Sequence, residues 1–364
     1  MDLKFYRNVI LKALLLFVIF NLILVVIPPS TGGNQLSIYN SLVPGRLRFP
    51  FGETPREAYN FSLYDVDAMF AAHEVNDSLS DQALNVFLVG DSSVWGTLLT
   101  PQETLAGQLN SLNLTCGETP LHFYNLGYPT ISLTKDLMLM EEAKAYNPDL
   151  VLWLTTLEAM PLEKQLASPL AENNPSRIEA LNETYQLSLT VPPKADWWQR
   201  TLFGRRRAIA DWVRLQVYGI MWGATGVDQI YPDYTPAAWD LEADPTYYDF
   251  EPETLTADTL FLQAFPAAQV LWSDTPLLVV NEPIMISGGE NSDIRYNFFY
   301  PRWAYDQYRQ ILSETMGRLN QNYVDAWWWV PAEEFTNSAI HLTPQGERLF
   351  AIGLEPFILD AVCP

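Results

Sequence analysis

The chain opens on an apolar run, Val9 to Ile27, broken only by Lys12 and Asn21 and stopped by Pro28 and Pro29. As a helix, a run of this length spans the hydrocarbon core of a bilayer. Lys4, Arg7 and Lys12 outweigh Asp2 on its leading side. The positive-inside tendency then keeps the N-terminus in the cytoplasm and sends everything after Pro29 outside. The run exceeds a usual signal-peptide core, and no small-x-small cleavage site follows Ile27. An uncleaved anchor over residues 1–30 is therefore expected in preference to a cleaved signal peptide.

Residues 31–80 are rich in Pro, Gly, Asn and Ser without clear periodicity and read as a linker. Short apolar runs and helical patterns then alternate. Ala83 to Val89 reads as a strand ended by Gly90, and Thr100-Pro101-Gln102-Glu103 supplies the cap, first-turn proline and capping-box Glu of a helix whose buried stripe is Leu105, Leu109 and Leu112. A strand at His122 to Leu126, a helix from about Thr134 to Tyr146 and a strand at Leu150 to Leu154 follow. After a long insertion, 159–258, the pattern resumes with a strand at Pro276 to Val280, a helix from about Trp303 to Leu319, a strand near Tyr323 to Trp328 and a last helix capped by Thr343-Pro344. Five strands alternating with helices predict a three-layer α/β/α domain over residues 81–364, with a mostly parallel five-stranded sheet covered on both faces.

Ligands of such sheets bind beyond the carboxyl ends of the strands. The residues there are Gly90-Asp91-Ser92-Ser93, Gly127, Thr155-Thr156, Asn281-Glu282 and the segment Asn337 to His341, so every candidate polar group falls on one edge.

Composition narrows the chemistry. The 364 residues, 48% hydrophobic and 18% charged, describe a folded chain with a sizeable core. With 43 acidic against 21 basic side chains and a net charge of -22, nucleic acid is not an expected partner. Three histidines (His73, His122, His341) and two cysteines (Cys116, Cys363) have no metal-ligand spacing. In an oxidising compartment the two cysteines are expected to form one disulfide.

Val89-Gly90-Asp91-Ser92-Ser93 resembles the first signature block of the SGNH (GDSL-like) hydrolases, in which a Ser follows Gly-Asp directly after the first strand. Asn125-Leu126-Gly127-Tyr128-Pro129 resembles the second block, and His341-Leu342-Thr343-Pro344-Gln345-Gly346 the last, all in the superfamily's order. The resemblance implies a flavodoxin-like SGNH fold with Ser92 as nucleophile and His341 as its base, and no cofactor. A serine hydroxyl needs a neighbouring imidazole to take its proton and a third group to orient that imidazole. The third-block Asn is replaced by Thr156, which could donate to an oxyanion beside the backbone N–H groups of Ser92 and Gly127. The expected Asp before the histidine is also missing, so Asn337 is the candidate orienting group, with Asp325, Glu333 or Glu334 as possible helpers. Asn281, Glu282, Arg295 and Arg302 are the candidate substrate contacts, the arginines suiting an anionic substrate.

An anchored member with a GDSS block and a large insertion is similar to the accessory proteins that work beside membrane-bound O-acyltransferases. This resemblance implies acyl transfer to or from a hydroxyl of an extracytoplasmic glycan or lipid-linked polymer. A simple carboxylesterase is the runner-up, and a non-catalytic assembly protein on the same fold is an alternative of a different class. The insertion carries Trp197, Trp198, Arg205, Arg206, Arg207, Trp212 and Trp222, with Ile209, Val213, Val217, Ile220 and Met221 at helical spacing. Either a helix lying in the headgroup layer or a lid packed on the domain would have this pattern.

Overall fold

A computed structural model describes residues 3–26, 42, 44–51, 65–76, 79–193, 196–225 and 234–363. Its helices are α1 (Leu3–Val26), α2 (Val66–Ala72), α3 (Ser92–Trp95), α4 (Leu105–Ser111), α5 (Leu133–Ala143), α6 (Pro169–Asn173), α7 (Pro175–Tyr185), α8 (Trp197–Arg200), α9 (Arg206–Thr225), α10 (Ala264–Leu271), α11 (Arg302–Leu319) and α12 (Pro344–Val362). The strands are β1 (Leu84–Val89), β2 (Thr115–Cys116), β3 (Thr119–Asn125), β4 (Leu150–Thr155), β5 (Leu277–Asn281) and β6 (Asn322–Asp325). α1 is long and apolar enough to cross a membrane and buries none of its residues in the protein. Pro28 and Pro29, read as its stop, lie outside the described residues.

The sheet runs β2-β3-β1-β4-β5-β6. β3, β1, β4, β5 and β6 are parallel neighbours, and β2 is an antiparallel edge added to the expected five. Counted along the chain, the five parallel strands have the flavodoxin-like order, which reverses direction beside β1. The sixth strand exists because Gly117, at φ 61°, turns the chain back on itself between Cys116 and Thr119. Cys116 on β2 is joined to Cys363 at the end of α12, with Cα atoms 5.6 Å apart.

Alternation along the central strands explains the two layers of helices. Phe87, Val89, Val151, Trp153 and Val279 enter one core with α5, α10 and α11. Val86, Leu88, Leu150, Leu152, Leu154, Leu278 and Val280 enter the other with α4 and α12. All six residues of β4 are buried, as a central parallel strand requires.

Two expectations need correction. The linker contains α2, capped by Asp65, whose side chain accepts from Ala68 N at 2.9 Å, and Val66, Met69 and Phe70 join the core. A seven-residue helix is too short for its periodicity to register in the sequence. The helix expected to be capped at Thr100 is α4, which begins at Leu105 under a Thr104 cap, because Glu103 turns back to accept from Thr100 N and Oγ1 and closes a turn. Part of the insertion contributes to the core, since Leu170 and Ala171 of α6 and Ile178 and Leu181 of α7 are buried there.

Candidate active site

Ser92 begins α3 immediately beyond β1, where the strand order reverses. The strand can turn this sharply into a helix because Gly90 has no Cβ, which would lie 2.5 Å from Val94 Cγ2. Asp91 caps the helix by accepting from Ser93 N at 2.8 Å. At the other end Gly96 adopts φ 85°, and Arg48 Nη1 donates to Trp95 O, Gly96 O and Leu99 O at 3.2, 2.8 and 3.0 Å. The Arg48 guanidinium also lies 4.3 Å from the centre of the Trp95 ring. From the side, Lys135 Nζ donates to Gly90 O at 2.6 Å and Tyr128 O at 3.2 Å while paired with Asp136 at 2.5 Å. The loop bearing Ser92 and the loop after β3 are thus tied by one buried ammonium.

His341 reaches this turn from the far end of the chain. Thr336 N donates to His341 O at 2.8 Å, folding residues 336–341 into a tight loop that sets Asn337 beside the imidazole. The His341 ring bridges Asn337 Oδ1, 2.8 Å from Nδ1, and Ser92 Oγ, 2.8 Å from Nε2. Since Asn337 Oδ1 can only accept, Nδ1 carries the proton and Nε2 presents its lone pair to the serine hydroxyl. Burial lowers the His341 pKa to about 4, so the ring is neutral at neutral pH.

Among the described residues no carboxylate partners His341. Asp325 is held by Arg309 at 2.6 Å and by Asn281 Nδ2 at 2.8 Å, Glu334 accepts from Thr343 Oγ1, and Glu333 is exposed.

The other candidate residues are placed differently from what their types suggest. Gly127 lies against α3 so closely that a Cβ would meet Trp95 N at 2.4 Å, and its N–H donates to Asn125 Oδ1 at 3.0 Å. Asn125 Nδ2 in turn donates to Val94 O at 2.7 Å. Thr156 is fully buried, its hydroxyl 2.9 Å from that of Tyr300. Asn281 Oδ1 accepts from Tyr308 OH at 3.0 Å. Arg295 donates to five backbone carbonyls, those of Asp244, Thr246, Asn297, Phe298 and Phe299, and Arg302 to that of Ser292 while stacked on Tyr296. Both arginines therefore shape the loop between β5 and α11.

Glu282 accepts the hydroxyl of Ser93, the residue beside Ser92, and with Glu347 lines a cavity of about 10 Å³ behind the turn. Burial raises both carboxyls well above the ordinary range, and the neighbouring Asp91, itself raised by burial, adds to the effect on Glu282.

Sequence reasoning missed Arg48, Lys135, Asp136 and Asn125 as supports of the nucleophile. The adjacent charges Lys135-Asp136 inside a mostly apolar helical pattern are a signal that could have been noticed, whereas nothing around Arg48 distinguishes it from a solvated arginine. His73, given no role in the sequence, bonds the carbonyl of Asn125 through Nε2 at 2.9 Å, and burial lowers its pKa to about 4.

No family model matches the chain, and no curated protein matches it. Among solved structures it is similar to a carbohydrate acetylesterase family member from Sinorhizobium meliloti, at 13% identity and TM-score 0.33, over 76% of this chain and 98% of that one. It is also similar to the native aryl esterase of M. smegmatis, at 12% identity and TM-score 0.35, over 77% and 100%. A third likeness is to a lipolytic protein of the G-D-S-L family from Veillonella parvula DSM 2008, at 9% identity and TM-score 0.33, over 75% and 96%. At these scores no activity carries across, and the functional reading rests on the site's own geometry.

Proposed function

We propose that the protein is a serine esterase or O-acyltransferase of the SGNH type, working through an acyl-Ser92 intermediate. The observation that carries this reading is the aligned array Ser92 Oγ, His341 Nε2, His341 Nδ1 and Asn337 Oδ1, with both hydrogen bonds at 2.8 Å. As Ser92 Oγ attacks the acyl carbonyl, its proton passes to His341 Nε2, and the carbonyl oxygen takes up the negative charge of the tetrahedral intermediate. Collapse breaks the ester C–O bond, and His341 returns the proton to the departing alkoxide. Water or a polymer hydroxyl then attacks the acyl-Ser92 by the same route, giving hydrolysis or transfer.

The backbone N–H of Ser92, at the first residue of α3, is the proposed oxyanion donor on the nucleophile's side. Gly127 N–H contributes only by sharing its bond to Asn125. The substrate we propose is an acylated glycan or lipid-linked polymer outside the cytoplasm. α1 would serve as the anchor, and a membrane-bound O-acyltransferase is the proposed partner.

The amide beside His341 favours a second reading, a non-catalytic assembly protein, because Asn337 supplies no charge to stabilise an imidazolium. A fluorophosphonate probe separates the two. Labelling of the wild-type chain at Ser92, lost in Ser92→Ala, supports the enzyme. An unlabelled Ser92, with Ser92→Ala still supporting polymer acylation in cells, overturns it in favour of the assembly protein.

A further inference from the structure

We propose that residues 197–225 form a second membrane-contact surface, docked on α1 and lying in the headgroup and upper acyl layer of an anionic bilayer. This rests on α1 being the anchor.

The key contact is made by the one amide side chain in the apolar run. Asn21 Oδ1 accepts from Leu202 N at 2.9 Å, and Asn21 Nδ2 donates to Phe17 O at 2.8 Å. Asn21 lies five residues before Val26, the last residue of α1, so the turn at 201–204 meets the helix about 7 Å short of its end. Amphipathic helices in the membrane interface sit at roughly this depth, about 5–10 Å below the headgroup boundary. An unpaired amide at that level is costly, and Asn21 and the Leu202 N–H satisfy one another.

The side chains around the contact suit the same layer. Trp197, Trp198 and Phe203 are 60%, 56% and 58% exposed, although they adjoin the apolar helix. On α9, Ile209, Val213, Val217 and Ile220 recur at three- and four-residue spacing on a stripe that stays exposed, although Gln216 on its border is buried. A lid packed on the domain through this stripe would have covered it. The side chains of Trp212 and Trp222 lie outside the described residues. Charge points to one kind of bilayer. By sequence, residues 197–225 carry five arginines, Arg200, Arg205, Arg206, Arg207 and Arg214, against one acid, Asp211, in a chain whose net charge is -22. Such an arginine cluster complements anionic headgroups. Two contacts, a span and a surface helix, would fix the orientation of the catalytic edge above the membrane where a span alone leaves it free to swing.

The test uses the full chain with Val217→Cys carrying an environment-sensitive fluorophore, in vesicles of phosphatidylcholine and phosphatidylglycerol. Gln310→Cys, on the exposed side of α11, provides the aqueous reference. The protein should float with the vesicles, and the label at 217 should emit to the blue of that at 310. It should be quenched by lipids brominated on the upper acyl chain and resist aqueous iodide several-fold better than the label at 310. Asn21→Leu should weaken the bromolipid quenching without releasing the protein. Flotation with a label at 217 open to iodide and untouched by bromolipid overturns the docking while leaving the anchor. A label shielded from both quenchers also overturns it, because a second copy or a protein partner then covers the stripe. Failure to float overturns the anchor and the docking together.

Discussion

The two sides of the candidate site are furnished in opposite ways. On the Nδ1 side of His341, where a carboxylate would assist catalysis, the described residues offer the Asn337 amide. Around Ser92, Asp91, Lys135, Asp136, Glu282 and Glu347 crowd a turn that needs no charge for its chemistry. Ionic and acidic groups here hold Ser92 in place, and His341 is a neutral imidazole with a neutral partner. Geometry and basicity are thus controlled by different residues, and mutations can separate them.

The largest effects should come from the reacting pair. If Ser92 and His341 act as one unit, alanine at either should lower turnover by about 10⁴ to 10⁶, and the double variant should be little worse than either single one. Ester hydrolysis by the purified full chain measures this, and additive losses would break the unit.

Next is the support of the turn. Lys135→Met leaves Asp136 buried without its cation and should cost about 3–5 kcal/mol of stability, read by urea unfolding of the full chain in detergent. A loss within experimental error would show that the ion pair is not what holds the loop.

The base side should respond to a gain of charge. With a His341 pKa of about 4, kcat/KM of the wild type should rise through pH 4 and stay level above it. Asn337→Asp places a negative charge beside Nδ1, favours the imidazolium and must move that midpoint upward. Activity at pH 8 should rise on the order of 10-fold or more, provided that Asn337 is the orienting group. An unmoved midpoint would exclude that role.

The smallest change tests the acid behind the serine. Glu282→Gln keeps an acceptor for Ser93 and should cost about 1 kcal/mol or less at pH 4. Its pH dependence has a definite sign. Glu282 has a raised folded pKa, so its contribution is fully present below the unfolded carboxyl value and is lost as pH rises toward the folded one. Melting temperatures should therefore shift in favour of Glu282→Gln as pH increases from 4 to 8. A constant difference between the two proteins would show that Glu282 does not titrate with folding.

The long strands, the helices α5, α11 and α12, and the serine and histidine positions were legible because each has a local signature. Strand alternation, Thr343-Pro344 and Gly-Asp-Ser are patterns within a few residues. Arg48 and His73 were not legible, because their partners, Trp95 and Asn125, lie about fifty residues away and no local rule links them. Arg295 was read as a substrate contact since an arginine after a strand end has the same local appearance whether its donors face a ligand or backbone carbonyls of its own loop and of Asp244 and Thr246.

By itself the sequence determined the apolar span, the alternation of strands and helices, and the edge on which Ser92 and His341 would stand, because hydrophobic period, caps and turn residues are local quantities. Only the tertiary structure decided which amide meets His341, that no acid among the described residues does, that Gly127 is needed for its close approach to α3, and that Asn21 binds the turn before α9. Each of these depends on distances between groups far apart in the chain, set by how two helical layers close on one twisted sheet and not by any pattern along it.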